Sequence, residues 1–287
     1  MTKVKELSRG EAAGYAETAV CQCDQVGPAE LARALFAGDV DEVHGEGGVG
    51  VAEIGHRYGL AVPERFLVLA VSDRAAEARP VSPVELHQRI SELCGWPVPA
   101  VIGRHGGTVL APEPGIVAEI GSAVDESTLG VVSLMASRHR LAPAARQAHE
   151  LLDVVNTIYG APGLYPFADF ALEHQLTRPG PGRDRLAGLI APVADHPDLL
   201  TTLRTHLRVN LHRGATARTL YVHPNTVDHR LRKIAELTGL DILDSATLWQ
   251  LHAAAIVHDF LHPDEAVRGW RPARGFPRTP GRRTPAA

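Results

Sequence analysis

The sequence predicts an α/β domain of ferredoxin-like character followed by an all-α domain. Three observations carry this expectation. Between residues 65 and 158 short apolar runs alternate with amphipathic segments. From about residue 196 to 260 the pattern is purely helical, and the Pro/Gly-rich stretch TRPGPGR (177–183) lies between the two.

Taken in order, residues 1–27 are small and polar and read as a flexible lead-in, with one helix across 8–19. PAELARALFA (28–37) spaces Leu31 and Leu35 on one face behind Pro28, and VAEIGHRYGL (51–60) spaces Val51, Ile54 and Tyr58 likewise. Both predict short helices. RFLVLAVS (65–72) is compact, apolar and rich in Val and Leu, as a buried strand is. VELHQRISELCG (84–95) is amphipathic through Leu86, Ile90, Leu93 and Cys94. VPAVIG (98–103) and TVLAP (108–112) predict two strands joined through RHGG as a hairpin. GIVAEIGSAV (115–124) predicts a helix, LGVVSLMA (129–136) a strand, and PAARQAHELLDVVNTI (143–158) a helix with Pro143 in its first turn. The order strand, helix, two strands, helix, strand, helix predicts helices packed on one face of a sheet.

Composition bounds the rest. The 287 residues suffice for two modest domains, and 45% hydrophobic with 22% charged residues is ordinary for a chain with a core. The net charge of −4 gives no global attraction to nucleic acid, so any such site must be local. Cys21, Cys23 and Cys94 do not make a disulfide framework and are expected as reduced thiols. There is no signal-like start and no apolar run of spanning length, so a soluble, cytoplasmic protein with no membrane partner is expected.

The C-terminal region carries the chemistry. PDLLTTLRTHLRV (197–209) stacks Leu199, Leu200, Leu203 and Leu207 on one broad face. RGATARTL (213–220) follows, then a turn at YVH, then PNTVDHRLRKIAELTG (224–239) with Val227, Leu231, Ile234 and Leu237 as its core stripe, Pro224 in its first turn and Gly239 at its end. SATLWQLHAAAIVHDF (245–260) adds a helix packed through Leu248, Leu251, Ala255 and Ile256, with Ser245 as candidate cap. A short helix, a tight turn and a longer helix with a basic outer face make a helix-turn-helix, whose second helix enters the DNA major groove. An ordinary helical domain with a solvated basic face is the alternative from pattern alone.

Removing the apolar stripe leaves Asn225, Thr226, Asp228, His229, Arg232 and Lys233 outward. Asparagine can read adenine through both ends of its amide, threonine can meet a base or a thymine methyl, and arginine can fork onto guanine. Arg218, Arg230, Arg232 and Lys233 are candidates for phosphates, with Thr216, Thr219 and His223 beside the backbone. Residues 198–241 hold seven Arg or Lys against four Asp or Glu, so the local balance reverses the sign of the whole chain.

LLTTLRTHL…TARTLYVHPNTVDHRLRKIAELTGLDILD resembles the C-terminal helix-turn-helix of the PucR family of bacterial transcription regulators, over about residues 196–258. Upstream, ELARALFAGDVDE, HRYGLAVPERFLVLAVS and GLYPFADF are similar to that family's middle domain, the GGDEF-like domain also seen in carbohydrate-diacid regulators of the CdaR type. The resemblance implies a regulatory or dimer-supporting domain at 28–176 and a DNA-binding domain at 196–260, while TRPGPGR suggests a linker at 177–195 and composition a basic, disordered tail at 261–287. A nucleoid-associated regulator with double-stranded DNA as partner and an unknown small-molecule effector is implied, and a homodimer is expected because one recognition helix reads only a few base pairs. The N-terminal sensory domain of many relatives is not expected in this stretch. DNA contacts are implied at Asn225, Thr226, His229, Arg230 and Lys233.

This chain departs from the family at Leu211-His212, where a Gly-Asn pair is usual and better suited to a turn and cap. It also departs at Asp228, where an acid faces phosphates, and at His229, where an aromatic is usual. A non-catalytic signalling or interaction module with a drifted helix-turn-helix is the rival reading. Enzyme chemistry is not expected. GRHGGTVLAPEP (103–114) has glycines without the acidic pair of a cyclase, and the fifteen histidines show no HExxH spacing. G-x-S-x-G, Walker A and dinucleotide fingerprints are missing too. No cofactor and no metal are therefore expected.

Overall fold

The computed structural model describes residues 32, 62–73, 81–103, 105–112, 114–125, 129–240 and 244–264. The helices expected at 8–19, 28–37 and 51–60, Cys21 and Cys23, and the tail from 265 lie outside the described residues. The chain divides into two compact units, Met1–Val155 with Pro162–Ala171, and Asn156–Ala161 with Leu172–Ala287.

The first unit is built on a five-stranded sheet of order β2-β3-β1-β4-β5. Its strands are β1 (Arg65–Asp73), β2 (Ala100–Gly103), β3 (Gly106–Ala111), β4 (Leu129–Ser137) and β5 (Gly163–Pro166). β1 runs antiparallel to β3 and β4, β2 antiparallel to β3, and β5 parallel to β4. The hairpin expected at RHGG forms, with Gly103 paired to Gly106. A side chain at Gly106 would run into the backbone of Val71, and one at Gly107 into that of Val101, at φ 139° and 150°. Glycine is therefore required at both.

Among the described residues this unit also holds helices α1 (Pro83–Cys94) and α2 (Val117–Asp125) and most of α3 (Leu141–Ile158). α1 opens with a capping box. Ser82 Oγ accepts from the Glu85 N–H at 3.2 Å, and the Ser82 N–H donates to Glu85 Oε2 at 2.6 Å. The helices were expected on one sheet face, but they cover both. Leu67, Leu69 and Val71 of β1 pack with Leu86 and Ile90 of α1 and Ile120 and Val124 of α2. On the opposite face Thr108 of β3 is hydrogen-bonded to His149 of α3, Oγ1 to Nε2 at 2.9 Å. The physical reason is in β1 itself. Phe66 through Val71 are all buried, so both faces of the central strand need cover. β5 had no counterpart among the expected strands, because GLYP is short and ends in proline.

The second unit is helical: α4 (Ala171–Thr177), α5 (Pro181–Ala194), α6 (Pro197–Arg208), α7 (Arg213–Thr219), α8 (Pro224–Thr238) and α9 (Ser245–Leu261). The linker expected at 177–195 is corrected by α5. Pro181 takes the first helical position, and Ile190 and Val193 are buried with Leu199, Leu200 and Leu203 of α6, Ile234 of α8, and Ala254 and Ala255 of α9. The proline and glycines that suggest a linker instead start a helix, where a missing N–H costs nothing. The cap of α9 is Asp244 rather than Ser245, its carboxylate accepting from the Ala246 and Thr247 N–H groups. Among the described residues no helix is long and apolar enough to cross a membrane.

Candidate nucleic-acid interface

The two helices of the candidate reading head, a short α7 and a longer α8, are both capped by histidines. α7 is entered through Asn210 (φ 52°) and Leu211 (φ 63°), and His212 caps it, Nδ1 accepting from the Ala215 N–H at 3.0 Å. The expectation that Leu211-His212 serves poorly is thus half corrected. The imidazole supplies the acceptor that asparagine would, while Leu211 sits in the left-handed region that favours glycine. α8 is entered through Leu220, Tyr221 (φ 55°) and Val222, and His223 Nδ1 accepts from the Asn225 N–H at 3.2 Å. An imidazole nitrogen that accepts carries no hydrogen, so each capping ring, when neutral, directs an Nε2–H away from its helix.

α8 is anchored from within by Val227 and Ile234, both fully buried, with Leu231 and Leu237 partly buried against the same core. That fixes which side faces out. Arg218, Thr219, His223, Asn225, His229, Arg232 and Lys233 are exposed, and Thr226 is half-buried. Lys233 Nζ meets Glu236 Oε2 at 3.1 Å on the surface.

Two expected contact residues are drawn inward. Thr216 is completely buried, its hydroxyl donating to the His212 carbonyl at 3.1 Å and lying 2.9 Å from His206 Nδ1. The carbonyl can only accept, so the hydroxyl hydrogen goes there and His206 Nδ1–H donates to Thr216 Oγ1. Helix periodicity puts Thr216 beside Ala217 on the buried side of α7, which a reading of residue type alone overlooks. Arg230 reaches α6 rather than solvent: Nε lies 3.3 Å from Asp198 Oδ2, and Nη1 donates to Thr202 Oγ1 at 3.2 Å. Its side chain ties α8 to α6, with the guanidinium already occupied.

Asp228 has a partner on its own chain. Its Oδ2 lies 2.8 Å from Nη2 of Arg213 in α7. The same guanidinium donates to Asn225 Oδ1 at 3.1 Å and to the Pro224 carbonyl at 3.4 Å. Asp228 therefore does not present an unbalanced charge to solvent. Asp228 also raises the proton affinity of nearby His206, though burial prevails and holds that imidazole below its ordinary value.

Arg213 and Tyr221 escaped the sequence reading, which took His212 only for a poorer cap. Arg213 belongs to a helix treated as support, and nothing in the linear spacing of 213 and 228 announces a contact. Tyr221 is 96% exposed at a positive φ. The signal that could have found it is a large residue at the middle of a turn that calls for glycine. Among the described residues no group of three or more His, Cys, Asp or Glu is placed to hold a metal ion.

Residues 199–257 match the family described as the PucR C-terminal helix-turn-helix domain. The chain carries a PucR-type helix-turn-helix domain. The PucR-type domain takes in α6 through most of α9, so α7 and α8 are its helix-turn-helix pair. Uncharacterised proteins of Mycobacterium bovis and of Mycobacterium tuberculosis are 38% identical over 76 residues, which is 26% of this chain. The match spans only 18% of those relatives' length. A crystal structure of a regulator of polyketide synthase expression from Bifidobacterium adolescentis is 19% identical, covering 82% of this chain and 98% of that one, with a TM-score of 0.37. That likeness is too loose to define a fold.

Proposed function

We propose that this protein is a sequence-specific transcription regulator that binds double-stranded promoter DNA through α7 and α8. The observation that carries the reading is the outward row Arg218, Thr219, His223, Asn225, His229, Arg232 and Lys233, displayed on a PucR-type helix-turn-helix whose buried side is filled by Val227 and Ile234. Asn225 and Thr226 stand at the start of α8, where a recognition helix meets base edges. Arg218, Arg232 and Lys233 supply positive charge for phosphates.

The rival reading, an interaction module whose helix-turn-helix has drifted from DNA, drew on Asp228 and on the low local charge. The pairing of Asp228 with Arg213 answers the first of these. One such head reads only a few base pairs, so the protein acts as a homodimer on two half-sites, in the cytoplasm at the nucleoid. The first unit is the regulatory, dimer-supporting part. Its strand order β2-β3-β1-β4 with antiparallel neighbours supports a ferredoxin-like, GGDEF-like assignment, and a small molecule is its effector.

The test is selection of genomic fragments by the purified full-length protein at two salt concentrations, followed by sequencing. A shared two-fold-symmetric site retained at both supports the reading. Binding that is uniform across sequence and lost with salt would overturn it.

A further inference from the structure

Arg230 stands three residues after Val227 and four before Ile234, so helix geometry places it beside the buried stripe of α8. Its guanidinium has two partners on α6. Nε lies 3.3 Å from Asp198 Oδ2, and Nη1 donates to Thr202 Oγ1 at 3.2 Å. Thr202 is fully buried and its hydroxyl donates to the Asp198 carbonyl at 2.7 Å, so its oxygen is left to accept from Arg230. Carboxylate, hydroxyl and guanidinium thus close one small network at the start of α6. Val227 and Ile234 hold α8 by burial, which has no direction. An arginine fork fixes angle as well as distance, and one set on the flank of the stripe resists rotation of the helix about its axis. The Arg230 side chain is only 23% exposed, and the Asp198 carboxylate beside it repels a phosphate.

We infer that Arg230 is a positioning residue for DNA recognition: through Asp198 and Thr202 it sets the rotation of α8, and with it where Asn225 and Thr226 stand against the bases. It does so without binding a phosphate itself. The inference rests on the proposed DNA-binding function and deepens it. Side chains that read bases must be held to within about half an ångström, and rotating a helix swings everything on its outer face sideways. Asp198 lies on α6, outside the helix-turn-helix pair, so a supporting helix takes part in specificity without meeting DNA.

The test compares the full-length wild type with Arg230→Gln, Asp198→Ala and the double variant, on the site that the wild type selects and on a scrambled duplex, across a salt series. Each single variant is expected to lose roughly tenfold on the selected site, about the worth of one misplaced base contact, and to hold the scrambled duplex within about twofold of the wild type. The double variant is expected to lose no more than either single one, because the pair acts as a unit. The salt slope is expected to stay unchanged. A phosphate contact predicts the reverse: Arg230→Gln would weaken both duplexes and flatten the slope by about 1, and Asp198→Ala would bind more tightly for want of a repelling acid. A merely structural role would lower both duplexes by one factor, through the folded fraction. Any of those results, or additive losses in the double variant, overturns the inference. Should circular dichroism show Arg230→Gln to be unfolded, the sign of the change in Asp198→Ala decides. A wild type with no preferred site removes the proposed function, and the inference with it. A preferred site that the variants bind as the wild type does removes the inference alone.

Discussion

The turn into α7 runs Asn210, Leu211, His212; the turn into α8 runs Leu220, Tyr221, Val222, His223. Both put a bulky residue at positive φ, Leu211 at 63° and Tyr221 at 55°, and both end on a histidine whose Nδ1 caps the next helix. They differ in what lies beneath. Under the first turn a buried relay runs from His206 through Thr216 to the His212 carbonyl, and the Leu211 N–H donates to the His206 carbonyl at 2.8 Å. The second turn projects Tyr221 into solvent, and α8 is held at its start from outside, by Arg213. One entry is itself exposed but is held from beneath by a buried relay. The other keeps its polar groups at the surface, where a partner can reach them, and relies on an ion pair for its shape. The same backbone device therefore serves a structural end in one place and a recognition surface in the other.

Perturbing the buried relay should separate the two turns most. Thr216→Val keeps the shape and leaves His206 Nδ1–H buried without its partner, at a cost of about 1–3 kcal/mol in chemical denaturation. The loss should appear in the stability of the helical unit and leave the surface of α8 chemically unchanged. A loss below a few tenths of a kcal/mol would mean that the relay does not secure the first turn.

Acid should act at the same place. Burial holds the His206 imidazole below its ordinary value, against the opposing pull of Asp228. The unfolded chain then binds this proton more readily than the folded one. The stability contributed by neutral His206 is full above the ordinary histidine value of about 6.5 and is lost as pH falls toward the lower folded value. Denaturation midpoints measured across this range should fall with pH, and the part of the slope removed by His206→Gln should be the part that His206 supplies. An unchanged slope in the variant would place the titration elsewhere.

The caps come next. His212→Ala and His223→Ala should each lower stability by about 1 kcal/mol, the usual worth of an N-cap side chain. On DNA the two should part company, because His223 stands at the start of the proposed recognition helix α8 and His212 at the start of α7, although both are exposed. His223→Ala should weaken binding beyond its stability cost, and equal binding losses would erase the distinction between the turns. The smallest effect is a gain. Tyr221→Gly should raise stability by up to about 1 kcal/mol, because the left-handed strain is relieved and a ring with no packing gives up nothing. Leu211→Gly should gain less, because the leucine is only 40% exposed and loses some burial. Thermal midpoints of the two variants compare them directly.

The apolar periodicities were legible in the linear chain. β1, the hairpin at RHGG, α3, α6 and α8 stand within a few residues of where the spacing puts them, because a continuous apolar run or a 3.6-residue stripe has one way to be buried. β5 and α5 were not legible. Four residues ending in proline become a strand only because the edge of β4 is open to pair with them. A Pro/Gly-rich segment becomes a helix only because Ile190 and Val193 find a core to enter. Within the candidate site, outward residues on α8 could be found by subtracting the stripe, but Thr216 and Arg230 were drawn inward by partners distant in sequence, His206 and Asp198.

By itself the sequence pointed to a helix-turn-helix over about residues 196–258, through a dense motif, and showed which side of α8 is apolar, through local spacing. It raised the question of Asp228 without the means to answer it. Only the tertiary structure decided that the aspartate is paired with Arg213, fifteen residues upstream, and that Asn225 shares the same guanidinium. The physical reason is range. A helical stripe is set by neighbours three and four residues apart, whereas the state of a charge depends on whichever group the fold carries to within 3 Å of it.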